Sequence, residues 1–148
     1  MMLCDQVDQE LRSALKARET LKVSTLRMLK AAASNAAIQK GKDRLEDPEL
    51  LEVVVKLIKQ REESVEAFRK GGRTDLADKE SQEAEILRSY LPPALGAEEL
   101  KAIVQAAVQE AGAQGPQAMG VVMKIVMPKV AGRADGKTVS QAVKEALR

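Results

Sequence analysis

The sequence predicts an all-α protein, and three observations carry that reading. Ala, Leu, Lys, Glu, Gln and Arg, the strongest helix formers, dominate the 148 residues. One Phe, one Tyr and no Trp leave little of the bulky material that strands favour. Apolar residues also recur every three or four positions in one stretch after another, which is the period of a helix face.

Leu3, Val7, Leu11 and Leu15 mark one face of a first helix over about residues 2–18. A second, over about 20–40, has an inner stripe of Leu26, Leu29, Ala33 and Ala37, with Met28 and Ile38 alongside. Its alanines allow a neighbouring helix to come close. Gly41 stops it, because glycine takes the left-handed C′ conformation without a Cβ clash. Asp47-Pro48-Glu49 starts the third helix: Asp caps, Pro fits the first turn and Glu complements the dipole. That helix runs to about Lys70 with Leu51, Val54, Val55, Ile58, Val65 and Phe68 inward. After Gly71-Gly72, Thr74 or Asp75 caps a fourth helix carrying Leu76, Ile86, Leu87, Tyr90 and Leu91.

Pro92 and Pro93 forbid helix continuation and stiffen the chain. They divide a helical N-terminal domain, 1–91, from a three-helix tail domain, 97–148, with 92–96 as linker. The fifth helix presents Leu100, Ile103, Val104, Ala107, Val108 and Ala111. The sixth is short, with Met119, Val122, Val126 and Val130 on one face, and Val139, Val143 and Leu147 repeat the spacing in the seventh. Gly120 costs up to about 1 kcal/mol against Ala inside a helix, and close helix–helix approach is the favoured explanation. Pro128 bends or shortens the last turn.

The chain has no His, so there is no Ser-His or Cys-His nucleophile and no H-E-x-x-H zinc motif. Neither phosphate-binding glycine motif is present. Glu62, Glu63, Glu66, Glu80, Glu83 and Glu85 alternate with Lys59, Arg61, Arg69, Lys79 and Arg88, which reads as solvated, ion-paired helix faces. No catalytic residue, metal site or cofactor is expected, and the chain is not expected to be an enzyme by itself. The single Cys4 cannot form an internal disulfide, which points to a reducing cytoplasm. No run reaches the ~18 apolar residues that span a bilayer, so no membrane partner is expected.

Net charge is +2, but from Gly115 onward six cations face two acids, a net +4. An anionic partner is therefore expected at that end. Lys129 to Lys137 holds three cations, one acid and two glycines. It is either a plain basic turn between helices or an anion platform. In the second reading Lys124, Lys129, Arg133 and Lys137 contact phosphate, helped by free N–H groups at the start of the last helix. With no aromatic residue in the tail, bases cannot be stacked, so a folded RNA suits this end better than a single strand. A DNA-reading helix-turn-helix is a rival on helix count, but Thr138, Gln141, Lys144 and Glu145 make a weak recognition set.

Several motifs, in order along nearly the whole chain, resemble the YqeY family. They include Ile58-Lys59-Gln60-Arg61-Glu62-Glu63-Ser64, Phe68-Arg69-Lys70-Gly71-Gly72-Arg73 and Tyr90-Leu91-Pro92. Met119-Gly120-Val121-Val122-Met123-Lys124 and Met127-Pro128-Lys129 through Gly132-Arg133-Ala134-Asp135-Gly136-Lys137 complete the set. YqeY proteins are stand-alone relatives of the C-terminal region of GatB, the tRNA-dependent amidotransferase subunit. The resemblance implies a two-part GatB/YqeY fold and tRNA, or a tRNA-linked amidotransferase, as partner. In GatB a separate cradle domain carries the chemistry, so a label of carbon–nitrogen ligase with glutamine as amido donor would be inherited from the fused enzyme. Where a capping Ser is expected at the start of the fifth helix, this chain has Gly96.

Overall fold

Helix-forming composition and a helical apolar period leave the chain one way to satisfy its backbone, and the computed structural model takes it. It describes residues 2–112, 114–130 and 133–148. The helices are α1 (Leu3–Ala17), α2 (Thr20–Gln39), α3 (Asp47–Lys70), α4 (Thr74–Arg88), α5 (Ala97–Ala111), α6 (Met119–Val130) and α7 (Gly136–Ala146). One 3-10 turn, Pro116–Ala118, precedes α6, and no strand occurs among the described residues. Two compact units result, Met1–Leu91 and Pro92–Arg148.

The first unit packs α1 to α4 around Val7, Leu11, Leu26, Leu29, Val54 and Leu87. Arg18, with φ of 58°, makes the tight turn from α1 into α2. Asp47 does cap a helix, but a different one from that expected. Its carboxylate accepts from the Leu3 N–H at 2.8 Å, across 44 residues of sequence, and so holds the start of α1. At the start of α3 the Glu46 N–H donates to the Glu49 carboxylate at 2.9 Å, and Pro48 occupies the first turn. The same carboxylate is gripped by Lys40 at 3.1 Å and Lys42 at 2.9 Å. These bonds, Lys42 first, hold Glu49 well below the usual carboxylate range, at about 2. At the end of the unit, buried Tyr90 donates its hydroxyl to Glu10 of α1. Burial is the main reason its phenol is pushed up.

The inward stripes differ from expectation in places. α3 buries Leu50, Val54, Leu57, Ile58 and Arg61, whereas Val55 is 39% exposed. Leu15 and Ile38 are also exposed, and Ala14 and Val23 take the places beside the core. A long helix rich in apolar residues has several stripes that satisfy the period, and neighbouring helices decide which is covered.

Arg61 and Glu83 correct the solvated reading of the charged faces. Both are buried, where α3 meets α4. Arg61 Nε lies 3.6 Å from Glu83 Oε2 and has no hydrogen-bond partner of its own. Its two Nη atoms reach the Leu57 carbonyl, at 3.5 Å, and the Met28 sulfur. Desolvation raises the Glu83 pKa, helped by Glu80, against the opposing pull of Arg61 and Lys79.

The second unit is a three-helix cluster. Leu100, Val104 and Ala107 of α5 meet Val122, Val126 and Val130 of α6 and Val139, Val143 and Leu147 after the turn. The six valines are at most 1% exposed, and each contributes about 1.5–3 kcal/mol through burial. Gly112, with φ of 64°, lets the chain leave α5 in the left-handed conformation. Pro128 lies inside α6, which continues to Val130.

The reading of Gly120 as a site of helix–helix approach does not hold within this unit. A Cβ placed there meets nothing within 4 Å, and the residue is exposed.

Candidate anion-binding face

The four cations singled out in the sequence all belong to the second unit, yet they occupy different surroundings. Lys124 lies on the outward face of α6, opposite the buried Val122, Val126 and Val130 stripe. Lys129, one turn from the end of α6, reaches back to Glu110 of α5 at 3.3 Å. Arg133, in the turn after α6, donates from Nε to the Pro93 carbonyl at 3.1 Å and pairs with Glu99 at 3.5 Å. Its own carbonyl accepts from the Leu95 N–H at 2.8 Å. Arg133 is therefore a fastener between the segment leading into α5 and the turn leading into α7. Lys137 sits in the first turn of α7, exposed and in no ion pair among the described residues.

Two of the four cations are thus engaged by acids. Both pairs are exposed, and such pairs are worth about 0–1 kcal/mol, so an anion can displace the acid at little cost. Ala131 and Gly132, part of the loop in the sequence reading, lie outside the described residues.

The start of α7 differs from its expected role. Asp135 is its N-cap and accepts from the Thr138 N–H at 2.7 Å. That bond holds the Asp135 carboxyl below its ordinary value. A helix start already carrying its own carboxylate is a poor seat for phosphate, because the cap satisfies an N–H group and repels the anion. The sequence shows Asp135 two residues before Lys137, three before Thr138, a capping spacing that could have been recognised.

What the fold does gather is a different cationic set. Lys137, Lys144 and Arg148 line one surface depression of about 380 Å³, with Ser140, Gln141 and Glu145. They stand at positions i, i+7 and i+11, one side of α7, away from buried Val139 and Val143. None of the three forms an ion pair among the described residues. Lys144 and Arg148 are one turn apart with like charges, an arrangement that opposes helix stability by a few tenths of a kcal/mol. An open groove between α5 and α7, about 880 Å³, continues from Lys137 past Gln141 to Lys101 and Glu98. Lys144 and Arg148 counted towards the tail's charge but were absent from the predicted site. The period that placed Val139, Val143 and Leu147 inward also puts these two on the outward side, and that signal was available.

Among the described residues no three of His, Cys, Asp and Glu gather as a metal site. No described helix is long and apolar enough to cross a membrane. The Cys4 thiol, half-buried in the first unit, donates to the Leu45 carbonyl at 3.4 Å.

The family model for Yqey-like proteins matches residues 4–147. The chain belongs to the YqeY family. Curated relatives include a fungal protein of Pyrenophora tritici-repentis named altered inheritance of mitochondria protein 41, mitochondrial. It is 30% identical over 96% of this chain and 79% of its own length. Proteins of the same name from Kluyveromyces lactis and Eremothecium gossypii are 30% and 36% identical. The matches cover 92% and 69% of this YqeY chain, and 71% and 57% of those proteins. The match to the family model runs through both helical units, so α7 and its basic side lie inside the YqeY region.

Proposed function

We propose that this YqeY protein is a non-catalytic accessory module that binds a folded RNA, tRNA being the leading candidate, through phosphate contacts in its second unit. The observation that supports this most is the unpaired basic side of α7, Lys137, Lys144 and Arg148, lying on one surface. Lys124, Lys129 and Arg133 extend the positive field, the last two by exchanging an exposed acid for phosphate. Absence of tail aromatics favours backbone contact over base stacking. The family resemblance to the C-terminal region of GatB supplies the link to tRNA-dependent amidotransfer. In this reading ligase chemistry with glutamine as amido donor belongs to a partner enzyme and not to this chain. It also takes the two helical units as the two parts of a GatB/YqeY fold. The compartment follows the partner: the cytoplasm suits a lone thiol, and the fungal relatives' names specify mitochondria.

The test is a gel-shift or filter-binding series of purified full-length chain with tRNA over a range of salt. The expected result is a dissociation constant tighter than about 10⁻⁴ M at low salt, weakening steeply as salt rises. No detectable tRNA binding at low salt would sink the reading. Turnover of glutamine or ammonia by the chain alone would equally remove the accessory role.

The rival reading is an adaptor that docks on an amidotransferase or other protein without RNA contact. Exposed Met28, Ile38 and Val55 on α2 and α3 favour it. A pull-down that survives nuclease treatment, with no tRNA binding, distinguishes it.

A further inference from the structure

α6 is apolar nearly all the way round. Of its twelve residues, only Lys124 and Lys129 are charged, and none is otherwise polar. A helix of that kind is normally buried on every side. Here α5 and α7 cover one side only. Val122, Val126 and Val130 are fully buried, while the opposite arc consists of Met127, Gly120, Lys124, Pro128 and Val121. Val121 is 51% exposed and Met127 39%. A helix of a globular protein carries its charged residues on that arc, and this one carries a single lysine in an apolar stripe.

Gly120 adds a second, independent observation. Its φ is not among the positive values in the chain, so the turn does not require glycine. A Cβ there meets nothing within 4 Å, so nothing inside the unit requires it either. An alanine would fit and would favour the helix. A missing side chain with no internal reason fits an external backbone that comes close.

We propose that the outward side of α6 docks an amphipathic helix of a different protein, one that offers an apolar stripe crossing at Gly120 and a carboxylate for Lys124. The charge on the stripe selects among occupants. Lys124 lies at its centre, so an antiparallel pairing with a second copy brings two lysines together in an apolar contact, which is unfavourable. A membrane surface is a weaker match, because the stripe lacks the Trp, Phe and Leu that anchor interfacial helices. An RNA backbone is a weaker match too, since the arc offers one cation among four apolar positions. The inference does not depend on the RNA reading, which concerns α7.

The experiment places a photo-crosslinking amino acid at Val121, and separately at Met127, in the full chain expressed in its native host. A control carries it at Gln141 on α7. The expected result is one heterologous protein crosslinked from both α6 positions, through a helical segment with an apolar stripe and an Asp or Glu. That protein is then purified and titrated against variants of the full chain. Lys124→Glu weakens binding at least tenfold, and Lys124→Arg retains it. Gly120→Ala raises Tm of the free chain by about 3 °C, as removal of a helix glycine does, yet weakens binding several-fold. Those opposite signs separate docking from folding. Crosslinks from α6 to a second copy, to lipid or to RNA overturn the proposal, as does the absence of any crosslink. Equal affinity of the wild type and the Lys124→Glu and Gly120→Ala variants does the same. RNA crosslinked from Gln141 alone leaves the α7 reading standing while this one falls.

Discussion

The Arg61 guanidinium lies 3.6 Å from the Glu83 carboxylate with both side chains buried, in a geometry that leaves Arg61 Nε without a hydrogen-bond partner. Two ions withdrawn from water and joined by a long contact recover little of their desolvation. The pair is therefore expected to be costly to break and cheap to replace. Arg61→Met alone strands a buried carboxylate and should lose about 3–5 kcal/mol in urea unfolding. Arg61→Met combined with Glu83→Leu should return to within about 1 kcal/mol of the wild type or exceed it. A double variant as unstable as the worse single variant would show that the pair itself holds α3 and α4 together.

Acid titration should show two opposed contributions. Glu83 has a raised pKa, so the folded chain binds its proton more readily than the unfolded chain does. Between its unfolded and folded values, stability from this group rises as pH falls. Glu49 is the reverse, lowered from 4.5 to about 2 by Lys42, the Glu46 N–H and Lys40. Its contribution is fully present above 4.5 and is lost as pH falls towards 2. Glu49→Gln should flatten the acid limb of a stability–pH curve below 4.5, and Glu83→Gln should flatten the limb above it. Thermal melts of the three proteins in a buffer series would read both slopes.

How far these features could be read from sequence depends on how many neighbours decide them. In α6 and α7 the stripe was legible, because Val122, Val126, Val130, Val139 and Val143 are the bulky residues of one period each. In α3 three periods compete: Val54 and Ile58 go with either Leu51 or Leu50, and packing against α2 and α4 selects Leu50 and Leu57. A charged residue inside such a stripe looks like one outside it, so Arg61 was assigned to solvent. Asp47 looked like the cap of the helix it begins, and only contact across 44 residues gives its carboxylate to α1. The cations suffered a similar ambiguity. Loop position grouped Lys129, Arg133 and Lys137, whereas the fold pairs the first two with Glu110 and Glu99 and leaves Lys137 with Lys144 and Arg148.

Asp135 should act on folding and on anion binding with opposite signs. Its carboxylate caps α7 through the Thr138 N–H and places a negative charge two residues before Lys137. Asp135→Ala should destabilise the chain by about 1 kcal/mol, the usual loss for a cap. The same change removes repulsion at the start of the basic side and should tighten tRNA binding at low salt. Asp135→Asn keeps a cap and discards the charge, so it should retain most of the stability and still bind more tightly. Weaker binding by Asp135→Asn would place the carboxylate inside the recognition surface instead of at its edge.

The salt dependence of binding should separate the two groups of cations. Lys137, Lys144 and Arg148 form no ion pair among the described residues, so each phosphate they engage releases counterions from RNA without first surrendering an acid. Lys129 and Arg133 must leave Glu110 and Glu99, and Arg133 also gives up the Pro93 carbonyl that fastens the turn. Changing Lys137, Lys144 and Arg148 together to Ala should lower the slope of log affinity against log salt by about 2–3 and leave Tm nearly unchanged. Relief of the Lys144–Arg148 repulsion offsets any small loss in the helix. Lys129→Ala should lower the slope by less than about one, and Arg133→Ala should reduce Tm as well, because it unfastens the segment before α5. If Lys129→Ala and Arg133→Ala remove most of the slope while the α7 triple variant keeps it, the phosphate surface is the loop after all and the α7 side is only solvated.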